Sequence, residues 1–288
     1  MENLTEYCAV GVSFRDEMID VSKNVSLRVI TFTPPHKTSN PSVVFVAGWV
    51  SQISAWQEVL LEMTREFNVY YVETREKISS RVQGNVGYGV EEMGQDIVTL
   101  IEHFNLKDGE YLFFGSSLGA TTILDSCRLL KTDPLCLVLV GPNAEFRVPK
   151  TWIFLVTIFY PPMYKLIKPT VLWYLKNFRL NVKHDRAQFE KYSTALDAAD
   201  PWKLKKAVLS LAKYKIWDFL ENVKFPALII GASKDKLHEP ENLKKIVRGL
   251  NNSNYLDMET NNNTHTKAVV SEMKKYLSEL MKPKNEIN

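Results

Sequence analysis

Short, almost wholly apolar runs alternate along the chain with stretches whose apolar residues recur at helical spacing. Residues 8–14 and 25–32 are the first two runs and predict strands. A link punctuated by Pro34, Pro35 and Pro41 leads to SVVFVAG at 42–48, a third strand that ends in glycine. Ser54 and Gln57 have the spacing of a capping box, and Leu60, Leu61, Met63 and Phe67 continue a helix. NVYYVE at 68–73 predicts a strand, Met93, Ile97, Leu100, Ile101 and Phe104 a helix, and 111–114 another strand with a helix from Leu118. After the strand LCLVLV at 135–140 the alternation stops. It resumes at 226–231 with PALIIG, then a helix over 240–249, a strand over 254–258 and a terminal helix from about 266.

Strands this short and apolar are buried on both faces, which predicts an α/β fold with a mostly parallel sheet flanked by helices. No helix separates the first two strands, so the sheet should begin antiparallel. The interruption at 142–222 is helical in character and lies between two strands. It predicts a helical cap inserted into a core domain made of 1–141 and 223–288.

Composition changes this picture little. The chain has 288 residues and is 45% hydrophobic, enough for a sizeable core. A net charge of +3 argues against a nucleic-acid partner. MENLTEYCAVGVSFRDE lacks the basic start and apolar core of a signal peptide, and no apolar stretch reaches the ~18 residues of a membrane span. Cys8, Cys127 and Cys136 are odd in number and lack metal-ligand spacing, which predicts reduced thiols in a cytoplasmic protein.

The candidate chemistry begins at GSSLG, 115–119, a G-x-S-x-G pattern between a strand and a helix. A sharp turn there lifts one side chain to the top of the sheet, and flanking glycines remove β-carbons that would collide. Ser117 is at the centre and Ser116 is its neighbour. The next helix aims unpaired N–H groups at the turn, which favours developing negative charge. A plain Gly-Ser helix cap is the competing reading, and the flanking elements favour the nucleophile.

A serine needs a base and an orienting acid. His36 lies in the proline-rich link, His103 on a helix, His184 in the insert and His238 three residues after Asp235. His265 follows the last strand, where functional groups collect at the carboxyl ends of parallel strands, and fits best. Asp235, on the loop after the penultimate strand, is the expected acid, with Glu145 in reserve.

With GSSLG, Asp235 in GASKD, and His265 in the order nucleophile, acid, histidine, nearly the whole chain resembles the α/β-hydrolase family. The resemblance implies an eight-stranded sheet, a helical lid after strand six, and a serine hydrolase that needs no metal and no organic cofactor. A serine at the elbow argues against dehalogenase or epoxide-hydrolase chemistry. The family's frequent His-Gly after strand three is here Ala47-Gly48-Trp49, so the oxyanion hole is expected from the N–H groups of Leu118 and Trp49, with Val50 as alternative. Thr264 stands where the family often has glycine.

The insert opens with a long apolar run from Trp152 to Tyr160, broken by Pro161 and Pro162. Between 144 and 186 it carries eight Lys or Arg against Glu145 and Asp185, so 8 − 2 gives +6. Such a surface suits an anionic amphiphile or peripheral contact with an anionic membrane; a simple cover with lysines in water is the alternative. The expected function is hydrolysis of a carboxylic ester or thioester with an apolar acyl group, through an acyl-enzyme on Ser117, His265 and Asp235. Trp49, Val50, Trp152 and Phe159 are the expected substrate-binding residues. Competing readings are an acyltransferase or carbon–carbon bond hydrolase on the same triad, and a non-catalytic binding protein of the same fold.

Overall fold

The structure is a computed structural model that describes residues 2–180, 186–235 and 240–282. Lys183, His184, Asp185 and His238 lie outside the described residues.

The strands are β1 (Ser13–Ser22), β2 (Val25–Thr33), β3 (Ser42–Val46), β4 (Val69–Glu73), β5 (Arg81–Val82), β6 (Tyr111–Ser116), β7 (Leu137–Val140), β8 (Ala227–Gly231) and β9 (Ser253–Asp257). Among the described residues they form one 9-stranded sheet in the order β1-β2-β4-β3-β6-β7-β8-β9, with β5 beside β2. β1, β2 and β4 pair antiparallel, and every pairing from β4 to β9 is parallel. The antiparallel start and parallel body follow the sequence expectation. The strand count exceeds the expected eight by β5, a two-residue pairing on β2.

One expected strand is displaced. Residues 8–12 do not join it: a 3₁₀ turn spans Leu4–Tyr7, and β1 starts at Ser13. Tyr7 and Cys8 are apolar because they are buried in the core, where Thr64 Oγ1 accepts the Ala9 N–H at 3.0 Å. β1 is an edge strand, and its polar, mostly exposed sequence suits that position.

Helices α1 (Gln57–Met63) and α9 (Lys267–Leu280) cover one face, over Val43, Phe45 and Phe114. Helices α2 (Val90–His103), α3 (Leu118–Ser126) and α8 (Pro240–Gly249) cover the other, over Val44, Phe113 and Leu139. Neighbouring strand residues thus serve opposite cores, which explains the unbroken apolar runs. Phe45 meets Phe114 edge-on at 4.7 Å and Trp56 at 4.9 Å. Truncating one of these rings costs about 3–5 kcal/mol.

Between β7 and β8 come α4 (Lys150–Ile158), α5 (Tyr164–Tyr174), α6 (Arg186–Ala198) and α7 (Pro201–Leu211). Ala195 of α6 and Leu204 of α7 pack on Val50, in the loop after β3, so these two helices sit over the carboxyl edge of the sheet. In contrast, α4 and α5 bury none of their residues. No helix among the described residues is long and apolar enough to cross a membrane.

Candidate active site

β6 ends at Ser116 and α3 begins at Leu118, so Ser117 alone makes the turn. Its backbone angles are φ +48°, ψ −114°. L-residues avoid this region because of the β-carbon, and a residue held there stores about 1–3 kcal/mol. The surroundings hold it. Ser117 N–H donates to the Val140 carbonyl at 2.8 Å, and Thr121 N–H donates to the Ser117 carbonyl at 3.0 Å. The Thr121 hydroxyl accepts the Asn143 N–H at 2.9 Å, tying the elbow to the loop after β7. A β-carbon at Gly119 would lie 2.1 Å from the Val46 carbonyl oxygen, and one at Gly115 2.8 Å from Ala120 Cα. Both glycines are therefore steric requirements of the turn.

The loop after β3 lies against this elbow: a β-carbon on Gly48 would be 3.4 Å from Ser117 Cβ. Ser51 N–H donates to the Gly48 carbonyl at 3.1 Å, and Val50 is held at φ +48°, strained for a β-branched residue. Lys77 Nζ donates to the same carbonyl at 2.6 Å. The loop and the first turn of α3 thus bring Trp49, Val50 and Leu118 to the elbow. The Trp49 indole N–H is buried without a hydrogen-bond partner among the described residues.

His265 ends the 3₁₀ turn Asn263–His265 after β9. Its ring stacks on Trp56 with centroids 4.0 Å apart, and Trp56 in turn meets Phe45 of β3 and Phe114 of β6. The histidine therefore crosses back from β9 toward the strand that carries the elbow. Its Nδ1 lies 2.9 Å from the Asn261 carbonyl oxygen and 3.0 Å from Thr264 Oγ1. Thr264 Oγ1 donates to that carbonyl at 2.7 Å. A carbonyl only accepts, so the network assigns the hydrogen of the neutral ring to Nδ1 and leaves Nε2 as the basic nitrogen. A cation on the ring would also be favoured by the indole face below it.

Asp235 is buried on the turn after β8. Gln188 Nε2, from α6, donates to Oδ1 and Asn261 Nδ2 donates to Oδ2, each at 3.2 Å. Asn261 bridges Asp235 and His265, its side chain on one and its carbonyl on the other.

The remaining candidates lie elsewhere. Glu145 pairs with Arg147 at 2.9 Å and Lys215 at 3.9 Å, and Arg147 holds its carboxyl below the usual range. His36, before β3, and His103, at the end of α2, are exposed near the amino edge of the parallel strands. A cavity of about 310 Å³ is lined by His265 with Gln52, Ser54, Lys191 and Thr194. Ser117, Trp152 and Phe159 do not line it. Trp152 instead packs on Tyr174 at 5.1 Å, and Phe159 is half-buried at the end of α4.

No protein-family model and no curated protein matches the sequence. Solved structures match in shape. A hydrolase from Pseudomonas aeruginosa PA01 is 17% identical with TM-score 0.72, over 96% of this chain and 100% of that one. A thermophilic esterase from Thermogutta terrifontis is 18% identical with TM-score 0.73, over 93% of this chain and 99% of that one. A bromoperoxidase from Bacillus anthracis is 14% identical with TM-score 0.72, over 93% and 100%. The chain has the α/β-hydrolase fold. Likeness at these identities establishes the α/β-hydrolase architecture, and the different activities in those names leave the reaction to the site.

Within this α/β-hydrolase fold, four contributors escaped sequence reasoning: Trp56, Thr121, Gln188 and Asn261. The run of asparagines before His265 was the available signal, since such side chains bond locally to loop backbone. Thr121, one turn past the elbow serine, can return its hydroxyl to the carbonyl four residues back. Nothing in the spacing marks Gln188 or Trp56, which meet the site only through tertiary contacts.

Proposed function

We propose that the chain is a serine hydrolase acting on a carboxylic ester or thioester with an apolar acyl group. The observation that carries this reading is the backbone of Ser117, strained at the apex between β6 and α3. Such strain is kept where it positions a reacting group. Ser117 Oγ attacks the acyl carbonyl, and Nε2 of His265 takes its proton and returns it to the leaving group. The N–H groups of Leu118 and Trp49 receive the oxyanion; one such donor contributes about 10²–10³ in rate. Asn261 fixes the His265 tautomer, and Asp235 anchors Asn261 and stabilises the imidazolium electrostatically. Water then hydrolyses the acyl-enzyme. A fluorophosphonate probe followed by peptide mapping tests this: the label should fall on Ser117. Lack of labelling favours a binding protein of the same fold. Labelling with product formed only in the presence of an acyl acceptor or a dione favours the acyltransferase or carbon–carbon hydrolase reading.

Residues 142–222 form the lid in this proposal. Their α6 and α7 cover the loop after β3, while α4 and α5 turn apolar side chains outward: Phe154 is 64%, Ile158 65%, Leu166 73% and Trp173 59% exposed. Within the run from Trp152 to Tyr160, Trp152 and Phe159 are half-buried while Phe154, Leu155, Ile158 and Tyr160 face solvent. Exposed apolar area on this scale marks an interaction surface. Lys150, Lys165 and Lys176, also exposed, select an anionic membrane surface as its partner.

A further inference from the structure

A second cavity, of about 200 Å³, lies on the other side of the loop after β3. Glu73 ends β4, and Glu76 and Lys77 follow it in the next loop, so the cavity opens at the carboxyl edge of the sheet. Glu76 lines it and is only 2% exposed, yet neither of its carboxylate oxygens has a hydrogen-bond partner among the described residues. A buried carboxylate without donors is unfavourable by several kcal/mol in effective terms.

The surrounding cations give their hydrogen bonds to other groups. Lys77 Nζ, 3.6 Å from Glu76, donates to the Gly48 carbonyl at 2.6 Å. Lys203 Nζ donates to the Ser80 carbonyl at 2.6 Å. Arg28 is held by Asp16 at 2.8 and 2.9 Å and by Glu2 at 3.1 Å, and it pairs with Glu73 at 3.6 Å. Glu73 accepts from Ser79, and burial pushes its carboxyl up. Three carboxylates, Glu2, Glu73 and Glu76, thus meet two cations, Arg28 and Lys77, in the cavity wall, and Glu76 has an ion pair with Lys77 but no hydrogen-bond donor among the described residues. Its other side is apolar and small: Val50, Ile53, Ala195, Ala198 and Ala199.

We propose that this cavity binds the protonated amino group of a short alkyl amine. An ammonium carries three donors, which Glu76 lacks, and a positive charge that offsets the excess of carboxylates in the wall. The methylenes lie against Val50, Ile53 and the cap alanines. An anion would meet Glu73 and Glu76. A metal ion would need three or more acidic, histidine or cysteine ligands together, and none of the described residues form such a group. A neutral alcohol would supply one donor and no charge.

Isothermal titration of the full chain with butylamine, ethanolamine and 1-butanol tests the site without reference to catalysis. Both amines should bind with millimolar or tighter affinity, and butanol about tenfold or more weakly. Glu76→Gln keeps the shape and should weaken butylamine binding by about tenfold or more. Ala198→Phe keeps Glu76 but fills the cavity and should abolish binding, so the site stays testable if one variant folds poorly. Equal affinity for amine and alcohol, undiminished binding by either variant, or no heat from any amine overturns the proposal. A hydrolase that passes the fluorophosphonate test and binds no amine would lose this site alone.

Discussion

The carbonyl oxygen of Asn261 lies 2.9 Å from Nδ1 of His265, and the side chain of the same asparagine donates to Asp235. A main-chain carbonyl cannot be protonated or mutated away, so it fixes the imidazole tautomer independently of the acid. Asp235, in turn, accepts from the side chain that carries this carbonyl.

This arrangement sets the expected severity of acid mutants. Where a buried carboxylate bonds the imidazole directly, exchange to asparagine costs about 10⁴ in kcat by imposing the wrong tautomer. Here Asp235→Asn retains an acceptor for Asn261, and kcat should fall by only roughly 10–100-fold, the tautomer being fixed elsewhere. Asn261→Leu should be at least as damaging, because it frees the loop that presents the carbonyl. Steady-state kinetics on both variants decide it. A 10⁴-fold loss in Asp235→Asn alone would mean the carboxylate reaches His265 during turnover.

The strain at Ser117 predicts a stability signature separate from activity. Both Ser117→Ala and Ser117→Gly should abolish fluorophosphonate labelling and turnover. Only glycine tolerates φ +48°, ψ −114° without a β-carbon penalty. Ser117→Gly should therefore be more stable than Ser117→Ala by about 1 kcal/mol or more. Equal urea midpoints for the two variants would show the turn to be relaxed.

Behind the site, Arg75 forks onto Asp96 at 2.6 and 2.7 Å and also donates to the Gly87 and Glu92 carbonyls. Burial pushes the Asp96 carboxyl up despite this partner, so the pair gains little on balance. Breaking it is another matter. Asp96→Ala leaves a buried guanidinium and should lower stability by roughly 3–5 kcal/mol. The double variant Arg75→Met, Asp96→Leu should recover part of that loss. Denaturant titrations of the single and double variants read the difference, and a double variant worse than the sum of the singles would refute it.

What was legible in the sequence was what side chains encode. Val43 to Val46 serve two cores at once, so their apolar run had to be a buried strand. Gly115 and Gly119 bracket a turn that admits no β-carbon, so the motif carried its own steric reason. The role of Asn261 was hidden because a carbonyl belongs to every residue, and only the loop's path brings this one to His265. Cys8 misled because burial beside an irregular turn looks like burial in a strand. The run at Trp152 stayed open for another reason: hydrophobicity says that a face wants covering, and not which body covers it.

The outward face of α4 and α5 yields the last test. Phe154, Ile158, Leu166 and Trp173 present apolar area that water does not favour, at about 25 cal/mol per Å². Basic side chains around it add about 1 kcal/mol each near an anionic surface, an attraction that salt screens within roughly 10 Å. The protein should therefore float with phosphatidylglycerol vesicles at low salt and much less with phosphatidylcholine, and added salt should reduce binding without removing the apolar part. Lys165→Glu should weaken anionic binding more than tenfold, since it both removes an attractive charge and adds a repulsive one. Leu166→Asp and Trp173→Ser should lower binding to both vesicle types while leaving hydrolysis of a soluble ester intact, because neither side chain reaches the elbow. Vesicle binding indifferent to lipid charge, or untouched by all three substitutions, would leave these helices as a cover for the site whose outer face meets something other than an anionic membrane.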